Sequence, residues 1–125
     1  MSKRKKLKSI RCAAYLAVQG NLNKVDEKEH KQLYCIREYA KAHNIDIVNV
    51  YHSAGAGVLE VNRQFDGLVS MVRDKKIDGI LVKNMQAISK DVSDAYLKVS
   101  KVRNAGGYMI TVDEGELKLR LTMGG

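Results

Sequence analysis

Alternation of short apolar runs with helical segments is the feature that most restricts the fold of this 125-residue chain. Ile10–Val18 (IRCAAYLAV) is an almost continuous apolar run of strand length, which is typical of a strand covered on both faces of a parallel sheet. We therefore expect it to be central. Asp46–Tyr51, Gly79–Val82 and Tyr108–Val112 predict three further strands.

Three helices are predicted between these strands. Asp26–His43 has a helix-forming composition, with Asp26 as its N-cap and Glu29 as the capping-box partner. Ser53–Asn62 contains glycines and predicts a loop. Apolar residues then recur at helical spacing in two segments, Phe65, Leu68, Val69 and Val72, followed by Val92, Tyr96, Val99 and Val102. The second segment should end at Ala105-Gly106-Gly107.

The C-terminal tail has a different period. Leu117, Leu119 and Leu121 alternate with polar residues, as in a half-exposed edge strand. The sequence thus predicts an α/β fold of three layers, α/β/α, with a mostly parallel sheet of four strands and a C-terminal antiparallel edge strand. Ligands of such sheets bind beyond the carboxyl ends of the strands.

The positive charge is concentrated near the N-terminus. The formal net charge is +8, and six cationic side chains lie within the first eleven residues, at Lys3, Arg4, Lys5, Lys6, Lys8 and Arg11. We expect a basic arm at residues 1–9, followed by one domain at residues 10–125. The chain lacks an apolar stretch of membrane-spanning length and a secretory signal, so we expect a cytoplasmic protein without membrane contact.

The residue pattern predicts neither a metal site nor a cofactor site. Cys12 and Cys35 do not form a CxxC pair and are interpreted as buried thiols, and the three histidines are scattered. The segments after the strands contain neither a GxGxxG fingerprint nor a phosphate-binding P-loop. We expect no metal and no cofactor.

Four segments in order resemble the N-terminal catalytic domain of serine recombinases, the resolvases and invertases. Arg11–Gln19 (RCAAYLAVQ) is similar to the family's first strand, which ends in Tyr-x-Arg-Val-Ser. Tyr51–Arg63 resembles its Asp-x-x-x-Ser-Gly loop closing on an arginine, and Ile77–Asp91 resembles a strand followed by Leu-Asp-Arg-Leu-x-Arg-Asp. Gly107–Glu114 resembles the next strand. The resemblance implies a resolvase-like fold.

The resemblance also implies DNA strand transfer, in which a serine attacks a phosphate and arginines stabilise the developing charge. This chain departs from that pattern at most of the matching positions. Gln19 stands at the nucleophile's position, Ala17 and Ala87 stand where the family has arginines, Lys90 replaces another arginine, and Gln86 replaces an aspartate. Arg63 remains as a matching arginine. The resemblance therefore implies a member that has lost the nucleophile and most of the active-site arginines, and we expect it not to be an active enzyme.

Nucleic-acid contacts are expected from Arg63, Lys83, Lys90 and Ser53. If the resemblance holds, Arg63, Lys83 and Lys90 should border the cleft at the strand ends. Binding should be weak and directed at the DNA backbone, because the long helix and the DNA-reading domain that follow in the family are not expected here. The remaining expected partners are a second copy of the chain or a recombinase subunit. An accessory or regulatory role in DNA recombination or in a mobile element follows.

Two alternatives stay open. One is an active recombinase whose nucleophile has moved to Ser53 or another hydroxyl, which predicts a covalent adduct with DNA. The other is a small α/β module that binds a phosphorylated ligand, which predicts thermal stabilisation by a small phosphate compound but not by DNA.

Overall fold

The computed structural model describes residues 9–17, 22–52 and 58–117, and these contain five strands and three helices. The strands are β1 (Ile10–Leu16), β2 (Ile45–His52), β3 (Gly79–Val82), β4 (Tyr108–Thr111) and β5 (Gly115–Glu116). The helices are α1 (Leu22–Ala42), α2 (Val58–Arg73) and α3 (Val92–Asn104), with a single 3-10 turn at Met85–Ala87. One sheet holds the strands in the order β2-β1-β3-β4-β5. Its pairings are parallel except that of β4 with β5, which confirms the predicted sheet.

β1 lies inside the sheet because its side chains are apolar on both faces. Ala13 and Tyr15 join one core cluster, whereas Cys12, Ala14 and Leu16 join the other. Successive strand residues face opposite sides of a sheet, so a strand between two cores requires apolar residues at consecutive positions. The central position expected for this segment is confirmed, with β2 and β3 as its neighbours.

The helices cover both faces of the sheet. The core on one face takes the α2 residues Phe65, Leu68, Val69 and Val72, together with Val99 and Val102 of α3. The core on the other face takes Ile36 and Ala40 of α1. The three predicted layers are therefore α1, the sheet, and the pair α2 and α3. None of the described helices is long and apolar enough to cross a membrane.

Two helices begin earlier than the sequence predicts. α1 starts at Leu22, so Asp26 lies inside the helix and is not its N-cap. α2 starts at Val58, so the predicted loop over Ser53–Asn62 ends five residues sooner; residues 53–57 are outside the described part. The polar residues at the start of α1 were interpreted as a turn and a cap, whereas the glycines before Val58 led to a predicted loop that ran into the first turn of α2. Composition alone marks the ends of helices poorly.

The buried stripe of α3 also differs from the prediction. Val92 and Tyr96 are 67% and 50% exposed, whereas Ala95 and Lys98 are buried with Val99 and Val102. Positions 95, 98, 99 and 102 form one helical face at i, i+3, i+4 and i+7 spacing. Val99 and Val102 are therefore buried as predicted, whereas the other half of this face was missed, in part because it contains a lysine.

The end of α3 follows the prediction. Gly106 has a φ of +93°, its N–H donates to the carbonyl of Arg103, and the N–H of Gly107 donates to the carbonyl of Val102. This is the Schellman motif, in which a glycine in the left-handed region closes the helix. The expected break at Ala105-Gly106-Gly107 is confirmed.

The edge strand lies slightly earlier than predicted. β5 is Gly115–Glu116 and pairs antiparallel with Ile110 and Thr111, whereas the expected strand was Leu117–Leu121, of which residues 118–121 are outside the described part. The connecting turn is held by Thr111, whose hydroxyl accepts from the N–H of Glu114 and donates to the carbonyl of Gly115. The antiparallel edge is present with a short strand.

Candidate functional site

A cleft opens beyond the carboxyl ends of β1 and β3. The chain leaves β1 toward β2 on one side, while β3 and β4 follow on the other, so the strand order reverses here. Parallel α/β sheets bind ligands at such switch points. The cleft encloses about 730 Å³, within the range of roughly 300–1,000 Å³ of ligand sites.

Three parts of the chain supply the described lining residues. Ala17 follows directly after β1. One wall is a face of α1 with Lys28, Lys31, Gln32 and Cys35. The opposite wall is the segment after β3, with Lys83, Asn84, Gln86, Ala87 and Lys90. The residues that the resemblance aligns with altered active-site positions, Ala17, Gln86, Ala87 and Lys90, are thus brought together.

Gln32 fixes the end of β1 at the floor of the cleft. Its Oε1 accepts from the N–H of Ala17 at 3.0 Å, and its Nε2 donates to the carbonyl of Ala17 at 3.3 Å. The amide side chain thereby replaces a neighbouring strand at the point where the ladder stops. These bonds satisfy backbone groups that would otherwise be costly to bury. Ala17 adds only a methyl group to the cleft.

The wall after β3 is shaped by two local caps. The side chain of Asn84 accepts from the N–H of Ala87 at 3.1 Å and starts the 3-10 turn. The side chain of Asp91 accepts from the N–H of Ser93 and caps α3. Within this framework Ala87 is 5% exposed, while Gln86 and Lys90 are exposed.

Lys98 and Asp94 anchor this wall to α3. The buried ammonium of Lys98 donates to Asp94 Oδ2 at 2.8 Å and lies 6.0 Å from the centroid of the Phe65 ring. The hydrogen bond from Lys98, followed by one from Ser89, lowers the pKa of Asp94. Ser89 also accepts from the N–H of Asp91 at 3.1 Å. The segment just before α3, which carries Lys90, is therefore tied to the protein core.

Every charged side chain among the described lining residues is a lysine: Lys28, Lys31, Lys83 and Lys90. Lys83 donates to Asp113 Oδ1 at 2.6 Å, across from the end of β4. Lys31 and Lys90 have no ion-pair partner in the described part of the chain. The cleft is consequently an environment that favours anions.

Arg63 is not among the residues that line the cleft. It lies on α2 with its side chain 78% exposed, and its guanidinium donates to Glu60 Oε1 at 3.0 Å, one turn earlier. The structure therefore brings Lys83 and Lys90 together but leaves Arg63 elsewhere. Gln19 and Ser53 are outside the described residues.

Sequence reasoning missed the α1 wall. Lys28, Lys31, Gln32 and Cys35 have i, i+3, i+4 and i+7 spacing, so they share one helical face. That signal was available, but only the apolar face of this helix was analysed. The polar face of a helix indicates site residues only when the strand order shows that this face borders the carboxyl ends of the strands.

The cysteines differ from each other. Cys12 is buried, as predicted, and desolvation by burial raises the pKa of its thiol to about 12. Cys35 is only partly buried and borders the cleft, so its interpretation as a buried thiol was wrong. Within the described segments, no three His, Cys, Asp or Glu side chains are grouped so that they could hold a metal.

Comparison with known families decides the relationship. The sequence model of the family described as Resolvase, N terminal domain, matches residues 23–125. The chain belongs to this resolvase family. No curated protein matches it.

Solved structures agree with the resolvase fold. A resolvase family site-specific recombinase from Streptococcus pneumoniae is similar with a TM-score of 0.74 and 19% identity, over 90% of this chain and 80% of that one. The N-terminal catalytic domain of TP901-1 integrase has a TM-score of 0.70 and 21% identity, over 84% and 79%. The C-terminal catalytic domain of ISC1926 TnpA, an IS607-like serine recombinase, has a TM-score of 0.66 and 18% identity, over 82% and 67%. At these identities the likeness concerns the fold.

Proposed function

We propose that this resolvase-family domain does not cut DNA and serves as an accessory or regulatory component of DNA recombination, in a mobile element or its host. The observation that carries the proposal is the lining of the cleft. Its described residues include no hydroxyl and no arginine, and Ala17, Gln86 and Ala87 stand at positions that the resemblance assigns to charged active-site residues. The fold is thus retained while the reactive groups are replaced.

Phosphoryl transfer needs groups that this cleft does not offer. A nucleophile must attack phosphorus and leave again, and an amide such as that of Gln19 does neither. The thiol of Cys35 borders the cleft, but no arginine stands beside it in the described lining to hold a phosphoryl group. Removing one charge-stabilising donor typically costs about 10²–10³ in rate, and several are replaced here.

Lysines at the cleft support weak contact with the DNA backbone. A lysine ammonium attracts a phosphate as a point charge, without the bidentate geometry of arginine. Such contacts hold DNA without reading its sequence, and they weaken as salt rises.

DNA binding should therefore survive removal of the basic arm. We expect a variant lacking Met1–Lys8 to bind labelled duplex DNA at low salt, with a smaller salt dependence than the full chain because fewer phosphates are neutralised. Fluorescence anisotropy titrations at low and moderate salt measure this. Complete loss of binding on removal of the arm would contradict DNA contact by the folded domain and favour a protein-interaction module.

Association with a second copy or with a recombinase subunit is the other part of the proposal. β5 is the outermost strand of the described sheet, and the unpaired N–H and C=O groups on the free side of an edge strand can pair with a strand of another chain. Deleting Glu116–Gly125 should lower the oligomeric state measured by sedimentation velocity, whereas deleting Gly124 and Gly125 alone should not. An unchanged oligomeric state in the longer deletion would exclude this edge as the pairing surface.

A further inference from the structure

We propose that Lys98 is a positioning residue, which holds one wall of the cleft in place through the carboxylate of Asp94. This wall is the segment after β3, residues 83–91, and it carries Gln86, Ala87 and Lys90 at the cleft. Lys98 contributes to the order of this wall and little to the net stability of the fold. The role holds for any ligand of the cleft, so it does not depend on the proposed function.

Lys98 occupies a position that suits an apolar side chain. It is 4% exposed and shares a helical face with Ala95, Val99 and Val102, all of which are buried. Taking an ammonium out of water is costly, and replacing a buried ion pair with apolar groups of similar volume is often neutral or even stabilising. Packing of the core therefore does not account for a lysine here. The contacts of its ammonium group do.

The ammonium of Lys98 fixes a carboxylate that lies one helical turn earlier. Its Nζ donates to Asp94 Oδ2 at 2.8 Å. The Asp94 carboxylate also accepts from the hydroxyl of Ser89, and both bonds favour its charged form. Asp94 therefore joins a buried side chain of α3 to the last residues of the wall after β3.

Ser89 passes this contact on to the backbone of the wall. Its Oγ accepts from the N–H of Asp91 at 3.1 Å. A serine hydroxyl has one proton and two lone pairs, so it can accept from Asp91 and donate to Asp94 at the same time. The N–H of Ser89 donates to the carbonyl of Met85 at 3.2 Å. A fixed Ser89 thus sets the path of the chain into the N-cap of α3.

Different bonds hold the two ends of this wall. At the β3 end Asn84 caps the 3-10 turn, and Ile88 is buried in the core. The α3 end depends on Ser89 and Asp91, since Lys90 between them is exposed. Loss of the Lys98 charge should therefore loosen residues 89–91 while the 3-10 turn and the sheet keep their places.

The test uses NMR on the isotope-labelled, full-length chain to measure backbone order parameters and amide hydrogen exchange at residues 89–91. Lys98→Met removes the charge and keeps an unbranched side chain over Phe65. Ser89→Ala removes the acceptor of the Asp91 N–H, and it shows how fast this amide exchanges without that bond. The amides of the buried strand β3 report the opening of the whole fold.

Lys101→Met is the matched control for the loss of charge. It also removes a lysine of α3, but the ammonium of Lys101 pairs with Asp66 at 3.2 Å on the protein surface, and both side chains are about half exposed. This variant should keep the wild-type order parameters and exchange rates at residues 89–91.

We expect Lys98→Met to raise the exchange rate of the Asp91 amide at least ~10-fold, toward the rate in Ser89→Ala. The order parameters at residues 89–91 should fall from about 0.85, the value of rigid backbone, toward about 0.6. The β3 amides should change by less than about 5-fold, because the fold keeps its stability.

Three results would overturn this role of Lys98. Unchanged exchange and unchanged order parameters in Lys98→Met would show that Ser89 and Asp91 hold the wall without help from Asp94. Faster exchange by the same factor at Asp91 and in β3 would show that Lys98 supports the fold as a whole. An equal effect of Lys101→Met would show that the loss of any lysine from α3 loosens the wall.

Discussion

Replacing Asp94 with alanine should lower the free energy of unfolding by about 3 kcal/mol, because the ammonium of Lys98 would remain buried without its carboxylate. The side chain of Lys98 is 5% exposed, and its ammonium forms an ion pair with Asp94 at 2.8 Å. Breaking a buried pair from one side costs about 3–5 kcal/mol, and the lower value applies because the Asp94 side chain is 37% exposed to water. Urea denaturation followed by circular dichroism measures the change.

The matched variant is Lys98→Met, which removes the charge and keeps an unbranched chain over Phe65. It should change stability by less than about 1 kcal/mol, because replacing a buried ion by an apolar group of similar volume is often neutral. The double variant Asp94→Ala with Lys98→Met should regain most of the stability lost in the Asp94 variant alone. Equal losses in the two single variants would show that packing, and not the charge of Lys98, sets the cost.

The same pair adds a dependence on pH. Because the pKa of Asp94 is lowered in the folded protein, its contribution to stability is fully present above the unfolded pKa of about 3.9 and is lost as pH falls through the folded value. The wild type should therefore lose more stability on acidification below about pH 4 than Lys98→Met. A parallel loss in both proteins would contradict this role of Lys98.

Substitution of Gly79 by alanine should destabilise the protein by about 3 kcal/mol, the upper part of the usual range for overpacking. Gly79 lies in β3 and pairs with Tyr108, and a Cβ there would lie 2.5 Å from the carbonyl oxygen of Tyr108 and 2.9 Å from its Cβ. β3 is held between β1 and β4, so the backbone has little room to move. Thermal unfolding should show the loss as a lower midpoint.

Gly67 provides the control for this substitution. It lies in α2, and a Cβ added there meets no atom within 4 Å. Gly67→Ala should stabilise the protein by about 0.5–1 kcal/mol, because alanine is the better helix former. Opposite signs for the same change at two glycines are expected. Stabilisation by Gly79→Ala would show that β4 moves away from β3 at little cost.

The buried strands could be predicted from sequence because burial leaves a strong chemical pattern. β1 and β3 lie between two cores and need apolar residues in succession, as Cys12 to Leu16 and Ile80 to Val82 have. The stripe of α2 from Phe65 to Val72 was equally clear. The order of apolar and polar residues along the chain is therefore sufficient to predict these elements.

The α1 wall and the buried lysine could not be predicted in the same way. Lys98 occupies an apolar helix face because Asp94, one turn earlier in α3, accepts from its ammonium and the Phe65 ring of α2 lies near it, and only the contact with Phe65 is tertiary. Lys28 and Lys31 become candidate ligand-binding residues only when the sheet order places their helix face beside Lys83 and Lys90. Arg63 illustrates the converse, since its match to a family position did not bring it to the cleft.

In this domain the residues that determine the fold are different from the residues that line the cleft. A resolvase scaffold needs its core, its strand order and its glycine turns, and all of these are independent of the groups that react with DNA. Function has to be argued from the residues at the strand ends, because a fold alone does not establish activity. At those ends, alanines, amides and lysines stand at the described positions.

The most direct test is a search for a covalent link between this protein and DNA. Full-length protein and a Ser53→Ala variant are incubated with a pool of labelled duplexes, and the mixtures are denatured in detergent and separated by size. An active serine recombinase on its own site serves as the positive control. The account predicts that neither protein carries label after denaturation, although both bind DNA before it. A labelled adduct that forms with the full-length protein and disappears in Ser53→Ala would contradict the account and show a displaced nucleophile.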